Sequence, residues 1–317
     1  VDGVVTASPD LPSRPCHPAV FYRGETEYVA QVGGFVSGAL EASAPVLVAV
    51  PGARLELLRG MIGDAFKAVT AEDMTEIGRN PGRILARLRA FAAEHGGRGA
   101  RIVGEPIWPG RSPGEVVEAT RHEALINLAF RDQSVTVLCP YDVDGLPAPV
   151  VADARRTHPV VVEGGRTRAS QDYLDPVTMS ARCDLPLSEP VRAWSMDYRR
   201  GELGEVREQA HRWATTSLLP PSRIADLVLA IGEAVANSVA HGGGRGTLRL
   251  WRAGGAVVAE IHDAGRLADP LAGRGRPSTA SANGGRGLWI IHQLCDLVEV
   301  RARDSGLTLR LHMAEGH

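Results

Sequence analysis

Between residues 163 and 190 the chain loses every regular hydrophobic period, and the patterns on its two sides differ in kind. Gly164-Gly165, Ser170, Asp172, Pro176 and Pro186 interrupt this polar stretch, which reads as a linker, docked or free. Before it, Val46-Leu-Val-Ala-Val50 is a continuous apolar run ended by Pro51-Gly52, the mark of a strand buried on both faces. Residues 100–103 and 135–138 read as further strands, and 55–66, 81–95 and 114–130 carry helical spacing. Strand and helix alternate, so residues 15–162 are expected to form an α/β domain with a mostly parallel sheet.

After it, residues 191–317 segregate their elements. A short strand at 193–198 precedes a helix over 203–217. Pro220-Pro221 breaks that helix, and Ser222 can cap the next one, whose apolar stripe includes Ile224, Leu227, Ile231 and Val235. Gly242-Gly-Gly244 ends it. Residues 247–251 and 256–262 form a hairpin about Gly254-Gly255, and residues 298–303 and 307–313 form another about Asp304-Ser-Gly306. A helix over 288–297 lies between the hairpins, after a Gly-, Pro-, Ser- and Arg-rich loop. This is the pattern of an α+β two-layer sandwich.

Bulk properties narrow the function. The 317 residues suffice for two cores, and a net charge of −2 argues against wholesale nucleic-acid or membrane binding. No apolar run is long enough to span a bilayer, and the first residues lack the charged start and apolar core of a secretory leader. A cytoplasmic protein with reduced thiols is expected. The basic residues are arginines except Lys67, so the second domain has no lysine for a phosphate clamp. The four cysteines, Cys16, Cys139, Cys183 and Cys295, are far apart, with no C-x-x-C pair to hold zinc.

The chemistry concentrates in Glu233-Ala-Val-Ala-Asn237-Ser-Val-Ala-His241. Helical spacing stacks the acid, the amide and the imidazole on one face. Two glycine-bearing turns follow, Asp263-Ala-Gly265 and Gly284-Gly-Arg-Gly287. The combination points to a nucleotide site with a metal and a general base.

These residues resemble the GHKL ATPases with their Bergerat ATP-binding fold, and within them the RsbW-like anti-sigma-factor serine kinases. Glu233-x-x-x-Asn237 is similar to the N box, Asp263-x-Gly265 to the first glycine box and Gly285-Arg-Gly287-Leu288 to the second. Gly306-Leu-Thr308 stands where the family has its Gly/Thr strand start. The resemblance implies ATP or ADP with Mg²⁺, the Asn237 carbonyl oxygen being a metal ligand. It implies Glu233 as the base or orienting group for a partner's serine hydroxyl. Asp263 would accept from the adenine amino group, with Thr308 in support, and Gly285 and Gly287 would admit the phosphates to a helix N-terminus. Arg286 could add charge there; His241 matches a histidine often found after the N box. Leu267 replaces the usual second glycine of the first glycine box. Arg274 and Arg276 read as surface of a lid over 264–285, and Cys295 as core.

The N-terminal half has no G-x-x-x-x-G-K-[ST] phosphate loop. It resembles the MEDS sensory domain through His17-x-x-x-Phe21-Tyr22, Asp73-Met74, Gly78-Arg-Asn-Pro81, Gly104-Glu105-Pro106, Arg121-His-Glu123 with Asn127, and Cys139-Pro-Tyr-Asp142. The resemblance implies a small-ligand sensor with a RecA- or KaiC-like α/β fold. Several of these residues fall at strand ends, where open α/β sheets bind ligands, so His17, Asp73, Arg79, Glu105 and His122 are candidate pocket residues. Arg79 with Asp73 or Glu105 reads equally as a structural ion pair. His17 and Cys139 are two scattered metal-ligand types, and this half is read as metal-free.

The whole resemblance implies a protein-serine kinase that binds a sigma factor and phosphorylates a STAS-domain antagonist, under sensory control. Family members of the C-terminal type often pair as homodimers, and the helix over 203–217 is a candidate partner surface. The alternatives are a nucleotide-gated sequestering protein without turnover, and a sensor histidine kinase phosphorylated on His122.

Overall fold

The computed structural model describes residues 16–95, 99–277 and 286–316. They divide into two compact units: residues 16–79 with 84–180, and residues 80–83 with 181–316.

Unit 1 is an α/β domain. Its elements in order are β1 (Pro18–Tyr22), α1 (Gly24–Tyr28), a π-helical turn (Val29–Gly33), α2 (Gly34–Glu41), β2 (Val46–Val50), α3 (Gly52–Ile62), β3 (Thr70–Asp73), α4 (Met74–Ile77), α5 (Pro81–Glu94), β4 (Ala100–Gly104), α6 (Pro113–Ala129), β5 (Val135–Asp142), α7 (Ala148–Thr157), β6 (Val160–Glu163) and β7 (Arg166–Ala169). The first turn of α5 is counted with unit 2. The sheet order is β3-β2-β4-β5-β1-β6-β7, parallel except for β7. Every residue of β1 and β2 is buried, which is why these strands carry unbroken apolar runs. α6 starts on a capping box between Ser112 and Glu115. It is then buried from Glu118 to Ile126, with Arg121, His122 and Glu123 inside.

The stretch expected to be a linker is structured. Residues 166–169 form β7, hydrogen-bonded to β6 across the Gly164-Gly165 turn, and α8 (Pro176–Arg182) follows. Residues 184–189 then strap onto the sheet of unit 2: Ala302 N donates to Asp184 (3.0 Å), Arg301 Nε to the Leu185 carbonyl (3.0 Å), and Arg310 to the Ser188 carbonyl (2.9 Å). The missing hydrophobic period marked short, polar elements rather than free chain.

Unit 2 contains β8 (Trp194–Arg199), α9 (Leu203–Ala214), α10 (Pro221–His241), β9 (Arg245–Ala253), β10 (Ala256–Asp263), α11 (Arg286–Leu294), β11 (Leu297–Arg303) and β12 (Gly306–Ala314). Its antiparallel sheet has the order β11-β12-β10-β9-β8. One face packs against the helices, through Leu248, Val257, Ile261, Leu309 and Leu311 from strands and Val206, Leu227, Ile231 and Ile291 from helices. The two-layer α+β sandwich stands as read from the sequence. α10 begins at Pro221, one residue before the expected cap, because proline fits the first helical position where no N–H partner is needed. α10 alone among the described helices is long and apolar enough to cross a membrane. Its apolar stripe is spent on this core. The other sheet face is charged. Glu260 takes Arg310 (2.5 Å) and Arg249 (3.2 Å), and Glu299 takes Arg301 (3.1 Å) and His312 (2.8 Å).

Candidate functional site

In unit 2, α10, the end of β10 and the first turn of α11 converge. A Cβ placed on Gly287 would lie 2.9 Å from Asn237 Nδ2 and 3.1 Å from both Asn237 Oδ1 and Glu233 Oε2. The α11 backbone therefore approaches the Glu233/Asn237 stripe closely, and a side chain at 287 would displace the ends of those two side chains. Glu233, Asn237 and Gly287, 54 residues apart at their extremes, form one cradle at a helix N-terminus, a place suited to anionic groups.

Beside it lies a cavity of about 230 Å³, lined by Asn237, His241, Asp263, Gly265 and Leu288 among others. Asp263 is 7 % exposed, and its Oδ1 accepts from the Gly265 amide at 2.6 Å. This bond makes the Asp263–Gly265 turn a rigid presenter of a carboxylate to the cavity. Gly242, at the end of α10, stands directly against that carboxylate, leaving no room for a side chain. The glycines after the helix thus do more than stop it. Tyr198 donates to Ser238 Oγ on α10 at 2.8 Å. Burial, countered by that bond and reinforced by the Asp263 charge, pushes the phenol up to about 12.

Several expectations change. Thr308 is not in the cavity: it pairs in register with His262, and its hydroxyl meets His262 Nδ1 at 3.0 Å. Alternate residues of a strand face opposite sides, so Leu307, opposite Asp263, reaches the cavity instead. Arg274 is 3 % exposed, not lid surface, whereas Arg276 is exposed. Leu267, in the place of a glycine, lines the cavity wall. Arg286 is exposed as the first residue of α11, and Cys295 is core. Gly285 and residues 278–284 of the expected lid lie outside the described residues.

The five candidate pocket residues of unit 1 do not form one pocket. Glu105 follows β4 and is 1 % exposed. Its carboxylate accepts from Tyr22 (3.1 Å) and Tyr28 (3.5 Å). The Arg54 guanidinium lies over both rings, 5.3 and 4.8 Å from their centroids, and 3.7 Å from Asp142. Burial pushes the Glu105 carboxyl up to about 8, against the opposing pull of Arg54 and the two phenols. These residues sit at the carboxyl ends of β1, β4 and β5 and the start of α3, the ligand-binding edge of a parallel sheet. The sequence singled out Glu105 but not Tyr28 or Arg54, which are remote from it along the chain. Asp73 instead caps α4, accepting from the Thr75 amide (2.8 Å) and hydroxyl (2.7 Å). Arg79 is half-buried in the turn after α4. His122 is 1 % exposed inside α6.

His17 lies at the opposite end of β1, where four side chains converge. His17 Nε2 is 3.0 Å from Glu123 Oε2 and 3.3 Å from Cys139 Sγ. His158 Nε2 is 3.2 Å from the same carboxylate oxygen but makes no hydrogen bond. The sequence paired only His17 with Cys139. Glu123 and His158 arrive through the packing of α6 and the α7–β6 junction.

Comparisons with known proteins agree with this division. Residues 16–159 match the MEDS family, the methanogen/methylotroph, DcmR sensory domain, and residues 198–313 match the histidine kinase-like ATPase domain. A solved structure, the RsbU and RsbW domains of Rv1364c from Mycobacterium tuberculosis, is similar at 18% identity with a TM-score of 0.28. The similarity covers 65% of this chain and 49% of that one, so the chain matches about half the length of that structure. No curated protein matches the chain.

Proposed function

We propose that this chain, which joins a MEDS sensory domain to a histidine kinase-like ATPase domain, is an ATP-dependent protein-serine kinase of the anti-sigma type. The observation that carries the reading is the cradle of Glu233, Asn237 and Gly287 beside a cavity bearing the Asp263 carboxylate. Asp263 has one oxygen fixed by Gly265 and presents the other to an adenine amino group. Gly287 and the N-terminus of α11 receive the phosphates. Asn237, whose side chain faces that cradle, would offer its amide oxygen to a magnesium ion carried in with the phosphates. Bound there, the ion would neutralise phosphate charge. Glu233, one turn before Asn237, orients the attacking serine hydroxyl and takes its proton.

A carboxylate at Glu233 favours turnover over sequestration, since holding a nucleotide does not need it. The burial of His122 argues against the histidine-kinase alternative, because phosphorylation there would require opening α6. The partners this reading implies are a sigma factor and a STAS-domain antagonist, the latter carrying the serine.

The test is phosphotransfer from γ-labelled ATP with Mg²⁺ to STAS-domain proteins of the same genome. The expected result is a labelled serine on one of them, lost in Glu233→Ala while ATP binding persists. Binding without label on any candidate would leave the sequestering protein. Acid-labile label on the chain itself would favour the histidine kinase.

A further inference from the structure

We propose that His17, Glu123, Cys139 and His158 bind one divalent ion of the zinc class inside unit 1. Each offers one ligand atom, all four atoms lie within 4.8 Å of one another, and all four residues are buried. A tetrahedral ion with bonds of about 2.0–2.3 Å holds its donors about 3.3–3.8 Å apart. The separations of 3.0, 3.2 and 3.3 Å already approach those edges.

The hydrogen bonds fix what the imidazoles present. Asn127 Nδ2 donates to the Thr157 (2.8 Å) and Ala124 (3.3 Å) carbonyls, so its Oδ1 faces His17 Nδ1 at 3.2 Å and must accept. His158 Nδ1 donates to the Ala154 carbonyl at 2.8 Å. Both rings therefore place their N–H outward, as metal-bound histidines do. In neutral rings the two Nε2 lone pairs then converge on a carboxylate, itself acceptor-only. Glu123 Oε1 and His158 Nε2 have no hydrogen-bond partner among the described residues. Buried acceptors facing one another are costly unless a cation sits between them. A thiol and two imidazoles exclude Mg²⁺ and Ca²⁺, which take oxygen ligands, and favour Zn²⁺ and its neighbours.

Four protein ligands make a closed, structural type of site. The ion would tie the start of β1 to β5, α6 and the α7–β6 junction, elements joined by residues 106 to 141 positions apart in sequence. It rests on nothing assumed for unit 2.

The experiment uses the full chain, purified under a non-thiol reductant, stripped with a chelator and titrated with Co²⁺ in excess Mg²⁺. Expected are one equivalent bound, tetrahedral ligand-field bands and thiolate-to-cobalt charge transfer, all displaced by Zn²⁺. Stripping lowers the thermal midpoint and Zn²⁺ restores it. Cys139→Ser loses the charge-transfer band, and His158→Gln loses the tetrahedral spectrum; whichever variant keeps native circular dichroism decides. A folded wild-type chain that takes up neither metal overturns the proposal. So does a spectrum that survives in the folded variant.

Discussion

At the scale of single residues, two positions carry separable consequences. At Gly287 a methyl group would press on the side-chain ends of Asn237 and Glu233. Gly287→Ala is expected to weaken MgATP binding tenfold or more by titration calorimetry while the thermal midpoint of the free protein changes little. An unchanged affinity would show that phosphates do not enter between α10 and α11. Glu105 carries a pH dependence. Its folded value of about 8 lies above the ordinary carboxylate value of 4.5, so the fold favours the protonated form. The stability it contributes is complete below pH 4.5 and falls as pH rises towards 8, with a slope of at most about 1.4 kcal/mol per pH unit. Urea unfolding at pH 5 and pH 8 should show a smaller loss of stability in Glu105→Gln than in wild type. Equal losses would mean that Glu105 is ionised throughout.

At the scale of elements, the strands and helices that stand alone in their chemistry were legible and those defined by partners were not. α10 announced itself by stripe and spacing, and β2 by its apolar run. β7 and α8 did not, because a polar edge strand and a seven-residue helix carry no periodic signal. The convergence of Glu233, Asn237 and Gly287 was foreshadowed because these residues sit in local motifs, whereas the His158 and Arg54 contacts arise only from packing across the sheet. Thr308 was misplaced by a single register step, which turns a strand residue to the other face. That charged face makes its own prediction. Glu260 is 6 % exposed and holds Arg310 and Arg249 between β10, β12 and β9. Removing it leaves Arg310, itself 6 % exposed, with the Ser188 carbonyl and the Trp251 ring but without its carboxylate, so Glu260→Ala should destabilise unit 2 by about 3 kcal/mol in denaturant unfolding. A loss below 1 kcal/mol would mean that water replaces the carboxylate.

At the scale of the whole molecule, two folds with different chemistry share one chain. Unit 1 is a parallel sheet with a tyrosine-held buried carboxyl at one edge and a histidine–cysteine–glutamate cluster at the other end of β1. Unit 2 is an antiparallel sandwich whose glycines bring an acid, an amide and a helix N-terminus together. The central claim is that this second arrangement is an adenine-nucleotide site. Equilibrium binding of ATP, ADP and GTP with Mg²⁺ to wild type and Asp263→Asn tests it most directly. The account predicts that both adenine nucleotides bind and GTP does not, and that Asp263→Asn costs about 1.5–3 kcal/mol, roughly 10- to 100-fold in affinity. No nucleotide binding, or equal affinity for ATP and GTP unchanged by Asp263→Asn, would contradict it.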